Sequence, residues 1–367
     1  MTSDDIHGSI EAPVLKRDLV LEQLRTLIVT GELKPGRRMP TRSTIKNQFK
    51  TGGRLVDEVF EQLEEDGFVY TEPSHGTYVA EHPPHLCHYA VVLSASKEGS
   101  AFDVALKHEA EALLQAGTGR LLTYADVVPG TAEYKRLIGD MNAHRVAGLI
   151  FRQPPLSDVD GTPLLTMPGI PRVVIATVPY DRFPSVRTDY TALVRKAVAW
   201  LAGRGRRRLA FLSDYRLGGK IYSPSAEAIA TKGGLVLPSS LFHVIGPYSA
   251  CSLVRMMMQL PEAKRPDALI VDDDNLVEQA SLGLADSGVR VGRDMDVVGH
   301  CNFPYLTESH VPMKRIGWDN HELLRACMAQ IDRMRAGETN PPPIVVEPLF
   351  DHEMQVKANG KAGRKDE

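Results

Sequence analysis

The sequence predicts an α/β protein in two parts: a small winged helix-turn-helix over residues 16–80 and a larger, two-lobed portion with parallel sheets over residues 89–350. Three observations lead there. Seven basic residues and no acid lie between Lys34 and Val56, and seven acids and no base lie between Asp57 and Glu72. Such a split suits a small DNA-binding head, with one face for phosphate and the other turned away. Two apolar stripes, Ile45/Phe49 and Leu55, Val56, Val59, Phe60, Leu63, flank Lys50-Thr51-Gly52-Gly53. They read as two short helices joined by a tight turn. From Tyr89 onward, short β-prone runs alternate with helical stripes, the pattern of parallel sheets covered by helices on both faces.

Within the head, Val20, Leu24, Leu27 and Ile28 form a first helical stripe, which Gly31 stops. Phe68-Val69-Tyr70 and Thr77-Tyr78-Val79 are β-prone and are separated by Pro73-Ser74-His75-Gly76, so they read as a hairpin. The cations on the basic half, Arg42, Lys46, Lys50 and Arg54, are the candidate DNA contacts. Residues 81–88 form a linker whose Pro83-Pro84 pair is expected to stiffen it and exclude a helix. The alternating units then fall into two sets, predicting two lobes hinged near Arg187–Tyr190 and Phe303–Met313 around a cleft. Residues 351–367 are polar and are expected to form a disordered tail.

Several motifs in order resemble known families. Gly31-Glu32-Leu33-Lys34-Pro35-Gly36, Met39-Pro40-Thr41, Leu63-Glu64-Glu65-Asp66-Gly67-Phe68-Val69 and His75-Gly76-Thr77-Tyr78-Val79 resemble the GntR winged-helix head. This resemblance implies DNA binding and adds His75 and Gly76, at the wing, to the candidate contacts. The chain departs from that pattern at Thr41-Arg42-Ser43, Gly52-Gly53 and Asp57. Val186-Arg187-Thr188-Asp189, Pro266-Asp267-Ala268-Leu269-Ile270-Val271-Asp272-Asp273, Val297-Val298-Gly299 and Gly317-Trp318-Asp319 resemble the LacI/GalR effector domain. That family implies a two-lobed, periplasmic-binding-protein-like fold closing on a small ligand, often a sugar. A head of the first kind on a domain of the second is similar to the arabinose-responsive repressors.

The sequence accordingly points to a ligand-responsive transcription regulator. Its expected partners are double-stranded operator DNA, a small sugar-like effector and a second copy of the chain, since one short recognition helix reads few base edges. The alternative is a ligand sensor whose head acts mainly through protein partners, for which Gly52-Gly53 and Asp57 speak. An enzyme is not expected, because no nucleophile elbow, His–carboxylate set or cofactor loop is present. No cofactor or metal is expected either. His82, His85 and His88 have no converging acid or thiol, and the consecutive Asp272, Asp273 and Asp274 cannot all point at one ion. Four scattered cysteines, a net charge of −3 and the lack of a long apolar run suggest a reduced, cytoplasmic, non-membrane protein. Arg206-Arg207-Arg208 reads as a polar turn before a strand. Asp273, at a strand's carboxyl end where open α/β sheets bind ligands, is the leading effector contact. Ser94, Lys220 and Asp319 are further candidates. His300 either hydrogen-bonds a ligand or packs at its strand end.

Overall fold

The structure is a computed structural model that describes residues 15–93, 100–115, 120–154, 159–215 and 223–362. The head consists of α1 (Lys16–Val29), α2 (Arg42–Phe49), α3 (Gly53–Glu65), β1 (Val69–Glu72) and β2 (Gly76–Val79). The stripes read from the sequence meet in one apolar core of Val20, Leu24, Ile28, Ile45, Val56, Phe60, Leu63 and Phe68. The Thr41 hydroxyl accepts the Thr44 N–H at 3.2 Å and caps α2. The helix stops at Lys50, which takes a left-handed conformation with φ 47°. β1 and β2 pair antiparallel, Val69 opposite Val79. The preceding segment forms an isolated antiparallel bridge to β2, Arg38 opposite Tyr78, with Val79 N donating to Arg37 O and Met39 N to Thr77 O, each at 2.8 Å.

The linker differs from expectation. Pro84–Cys87 forms one helical turn, α4. Proline is excluded from a helix interior but fits the first turn, where its missing N–H would have no partner anyway. Within α4, His85 is buried and stacks on Phe68, ring centroids 6.0 Å apart, and burial lowers its pKa to about 4. Arg145, which follows the first lobe's second helix, donates to Asp66 at 2.7 Å, and Asp66 also pairs with Arg25 of α1. The head is therefore bound to the lobe by ionic contacts as well as by the chain.

The first lobe contains β3 (His88–Val92), α5 (Ala101–Gln115), β4 (Arg120–Tyr124), α6 (Ala132–Asn142), β5 (Gly148–Phe151), α7 (Pro163–Thr166), β6 (Arg172–Ala176) and β7 (Ser185–Thr188). The second contains α8 (Tyr190–Gly203), β8 (Leu209–Asp214), α9 (Ser223–Lys232), β9 (Phe242–Ile245), α10 (Pro247–Met258), β10 (Ala268–Val271), α11 (Asp274–Asp286), β11 (Asp296–Phe303) and β12 (Lys314–Asp319). The chain ends through α12 (Asn320–Arg335), β13 (Ile344–Val346), β14 (Leu349–Phe350) and α13 (Asp351–Ala362). The sheet orders are β13-β7-β6-β5-β3-β4 and β14-β12-β11-β10-β8-β9. Every pairing in both is parallel except that of β14 with β12. Continuous buried runs such as Leu149-Ile150-Phe151 and Leu269-Ile270-Val271 make this possible, since each strand is covered on both faces. One apolar cluster runs from Val91, Ile150 and Val173 through Leu193 and Ala197 of α8 to Phe211, Ile270 and Val298.

The chain crosses between lobes after β7, at Thr188–Tyr190, within the expected hinge. The other expected hinge, Phe303–Met313, is corrected: this loop joins β11 to β12, which lie side by side in the second sheet. The further crossings fall at Asp319–Asn320, where α12 turns back to pack on β5, β6 and β7, and between β13 and β14. The expected tail is corrected as well, because residues 351–362 form α13. Its charges have partners far away in sequence. Lys314 pairs with Asp351, Lys196 with Glu353 at 2.6 Å, and Lys357 with Asp319 at 3.0 Å. Arg206 lies before β8 and donates to Asp296 at the start of β11 at 2.6 Å, the role expected of a polar turn.

Candidate functional site

Strand register assembles the candidate ligand site. Val271 pairs with Leu212 on one side and Gly299 on the other, so Ser213, Asp272 and His300 form the next row toward the carboxyl ends. Side chains alternate along a strand, which places this row on the face that carries Phe211, Ile270 and Val298. Below lies the apolar cluster. Above, the face becomes polar and is roofed by aromatic rings. The His300 ring lies 5.2 Å from Trp318 and 6.1 Å from Tyr190 at the start of α8, and Tyr190 and Trp318 are 4.7 Å apart.

The groups in this row are buried and incompletely partnered. Asp272 is 2% exposed and its Oδ1 has no hydrogen bond, and neither ring nitrogen of His300 has one. Trp318 Nε1 and both amide atoms of the fully buried Asn320 are likewise without partners. Each such group costs about 1–3 kcal/mol relative to a hydrogen-bonded one. Burial, reinforced by the adjacent Asp273 charge, pushes the Asp272 carboxyl well above the usual carboxylate range. Asp274 accepts Asn302 Nδ2 at 2.5 Å and lies 3.7 Å from His300 Nδ1.

The expected contacts are distributed as follows. His300 occupies the row. Asp273 lies beside it, but its Oδ1 caps α11 by accepting the Asn275 backbone N–H at 2.9 Å and Nδ2 at 2.7 Å. Burial first, and then the Asp274 charge, raises the Asp273 pKa to about 6. Asp319 is committed elsewhere: Oδ1 accepts the His321 and Glu322 N–H groups at the start of α12, and Oδ2 takes Lys357. Ser94 and Lys220 lie outside the described residues. Sequence reasoning missed Asp272, Asn302, Trp318, Asn320 and Tyr190. Only Asp272 carried a signal, its place directly after a buried strand run. From the first lobe, the Ala101 N–H at the start of α5 donates to Asn275 Oδ1 of α11 at 3.0 Å, and Glu109 faces His321 at 2.7 Å. The first contact ties the two lobes beside the row, and the second holds the start of α12 to α5.

In the head, the four expected cations differ in their freedom. Arg42 donates to Asp57 at 2.9 Å and lies over the Phe60 ring, 4.6 Å from its centroid. Arg54, with a side chain 94% exposed, pairs with Glu58 at 3.1 Å. Lys46 and Lys50 are exposed, and the Lys50 carbonyl accepts Lys16 Nζ at 2.8 Å. The expected separation of acids and bases onto opposite faces is thus incomplete: Asp57 meets Arg42 where α2 packs on α3, and Glu58 meets Arg54 one turn away on α3 itself. At the wing tip, the His75 Nδ1 lies 3.0 Å from Pro73 O. Gly76 adopts φ 118°, and a Cβ there would lie 2.8 Å from Nε of Arg38. Arg38, not among the expected contacts, therefore has its guanidinium against the wing tip.

A winged head joined to two parallel-sheet lobes, with a buried polar row at the strand ends, defines a head-and-receptor architecture. Comparison with known proteins specifies it. Residues 16–79 match the bacterial regulatory proteins of the gntR family, and residues 198–349 match the periplasmic binding protein-like domain. Together the two matches cover the head and most of the second lobe. It is 23% identical to the arabinose metabolism transcriptional repressor of Geobacillus stearothermophilus, over 80% of this chain and 84% of that one. It is 28% identical to catabolite control protein A of Priestia megaterium over 49% of this chain, and spans 58% of that protein's length. In fold it is similar to the transcriptional regulator CelR–cellobiose complex, with a TM-score of 0.54, 19% identity, and coverage of 85% of this chain and 98% of that one. A LacI family regulator from Lactobacillus casei with bound glucose gives a TM-score of 0.54 at 16% identity, covering 72% and 97%. Among the described residues, no helix is long and apolar enough to cross a membrane.

Proposed function

We propose that this protein is a cytoplasmic transcription regulator, a repressor, that binds a double-stranded DNA operator as a homodimer and whose operator affinity is set by a small ligand rather than by catalysis. The ligand is a sugar or sugar derivative held between the lobes. The observation that carries this reading is the buried row of Ser213, Asp272 and His300, where the Ser213 hydroxyl, Asp272 Oδ1 and both His300 ring nitrogens have no hydrogen bond and the His300 ring lies beside those of Trp318 and Tyr190. Hydroxyl groups can donate to a carboxylate and accept from an amide, and an apolar sugar face packs against an aromatic ring. The similar proteins support the ligand class, since they include an arabinose metabolism repressor and a cellobiose complex. A ligand that binds the closed lobes better than the open ones shifts the heads by that difference alone.

The test is a thermal-shift and calorimetry panel of pentoses, hexoses and disaccharides, followed by DNA binding with and without the hit. A ligand at 100 times its Kd should stabilise the protein by about 2.7 kcal/mol. Asp272→Ala should abolish that shift while leaving DNA binding without ligand intact. A sugar that binds equally well to wild type and Asp272→Ala would remove the row from the account. A second reading, a ligand sensor acting through protein partners, is favoured by the Arg42–Asp57 and Arg54–Glu58 pairs. It predicts no DNA binding at physiological salt.

A further inference from the structure

The cations of the head fall into two groups. The arginines on its helices are paired, Arg42 with Asp57, Arg54 with Glu58 and Arg25 with Asp66, whereas Lys46 and Lys50 are exposed without an acid partner among the described residues. Helix α3, which stands where a recognition helix would, carries one arginine against five acids: Asp57, Glu58, Glu61, Glu64 and Glu65. Base edges are read mainly by residues at the start of such a helix. Here Gly52 and Gly53 present no side chain, and the next residue, Arg54, pairs with Glu58. Neither needs to be glycine for the fold, since φ is −78° at Gly52 and a Cβ at either would meet nothing within 4 Å. The two glycines at the start of α3 have no packing reason.

The unpaired arginines, Arg37 and Arg38, lie beside the wing. Lys34, Arg37 and Arg38 are exposed, and no acid pairs with them among the described residues. Arg37 and Arg38 sit on an extended segment beside β2, held by Val79 N to Arg37 O and by the Arg38–Tyr78 bridge. Tyr78 in turn stacks on Tyr70 at 5.7 Å and donates its hydroxyl to His75 O at 3.3 Å. The wing is therefore braced, and the Arg38 guanidinium rests against Gly76 at its tip. A minor groove about 6 Å wide admits no helix but does admit an arginine on an extended strand. A·T-rich tracts narrow that groove and deepen its negative potential.

Resting on the DNA-binding reading above, we infer that this head selects DNA through its wing: Arg38 enters the minor groove and favours narrow, A·T-rich segments, while α3 supplies little base readout. Loss of Arg38 removes the preference. Loss of Lys46 lowers affinity for all sequences alike, as expected of a phosphate contact.

The experiment uses the full chain and three synthetic 24-base-pair duplexes in fluorescence anisotropy at fixed salt. One carries two A-tracts. One is G·C-rich. The third is the same G·C-rich duplex with inosine in place of guanosine, which removes the minor-groove amino group and leaves the O6 and N7 acceptors of the major groove in place. Wild type should bind the A-tract and inosine duplexes alike, both roughly tenfold more tightly than the G·C duplex. Arg38→Ala should bring all three to similar affinity. Arg38→Lys should recover part of the preference, because the charge remains while the planar, weakly hydrated guanidinium is lost. Lys46→Ala should weaken all three by a similar factor and keep their ranking. An unchanged Tm for Arg38→Ala shows that folding is intact, as an exposed side chain requires. An inosine duplex that behaves like the G·C one, or a preference that survives Arg38→Ala, overturns the inference while leaving DNA binding in place. Absence of binding to any duplex overturns the DNA-binding reading itself.

Discussion

In the first lobe, β3, β5 and β6 end at Val92, Phe151 and Ala176; in the second, β8 ends at Asp214, β10 runs into Asp272, and β11 carries His300 and Asn302 near its end. The two sheets have matching strand orders, so the difference is chemical rather than topological. At the end of the first sheet, Phe151 is 3% exposed and stacks against Phe183, centroids 6.4 Å apart. Its nearby charge is neutralised within the lobe, since Arg152 donates to Asp103 at 2.6 Å and to the Ser100 hydroxyl at 3.0 Å. In the second sheet, Asp272 and Asp273 follow β10 with no lysine or arginine partner among the described residues, and Asp272 Oδ1 has no hydrogen bond. The same architecture can thus close one strand end as core and leave the other poised for a hydrogen-bonding ligand. The cost falls on the second lobe's stability.

That contrast predicts opposite responses to substitution. The largest effect is expected in the first lobe. Phe151→Ala should lower stability by about 3–5 kcal/mol in urea unfolding, through lost packing and the cavity left behind. A change under 1 kcal/mol would mean that this strand end is not core.

In the second lobe, Asp273→Asn should do the reverse. The folded pKa of Asp273 is raised from 3.8 to about 6, so the folded state resists its ionisation. The penalty is absent below about pH 4, grows as the pH rises toward 6 and is complete above it. Asparagine can still cap α11, so the variant should be more stable at pH 7.5 by up to roughly 3 kcal/mol, with the gain vanishing near pH 4. A gain independent of pH would show that the Asp273 charge is not its source.

Next in size is binding. His300→Gln should leave Tm within a few degrees of wild type yet lower ligand affinity by about tenfold to a hundredfold, the worth of a buried hydrogen bond or two. Calorimetry decides the matter. Equal affinity would leave His300 as a packing residue at its strand end.

The smallest effect concerns α13. Lys357 spans Asp319 and Glu322 at the Asp319–Asn320 crossing, with about a third of its side chain exposed. Lys357→Met should cost under ~1 kcal/mol of stability, as partly solvated pairs do. Its measurable consequence should be faster amide exchange at the start of α12. Unchanged exchange there would mean that the helix does not brace the crossing.

Local pattern alone determined much of this protein. The helical stripes of α1, α2 and α3, the wing hairpin and the alternation of buried strands with helices all follow from periodicities spanning a few residues. So does the placement of candidate ligand groups at strand ends, since the direction of a parallel strand fixes which end it offers. The choice among neighbouring residues was a tertiary matter. Asp272 and Asp273 are equivalent in composition, and only the register of β10 against β8 and β11 puts one in the row with His300 while the other caps a helix. Asp319 looked available until Lys357, 38 positions on, was seen to occupy it. The crossing at Asp319–Asn320, the docking of residues 351–362 and the guanidinium of Arg38 against Gly76 have the same origin. Each depends on contacts between residues distant in sequence, whose energies come from burial and pairing that no local window contains.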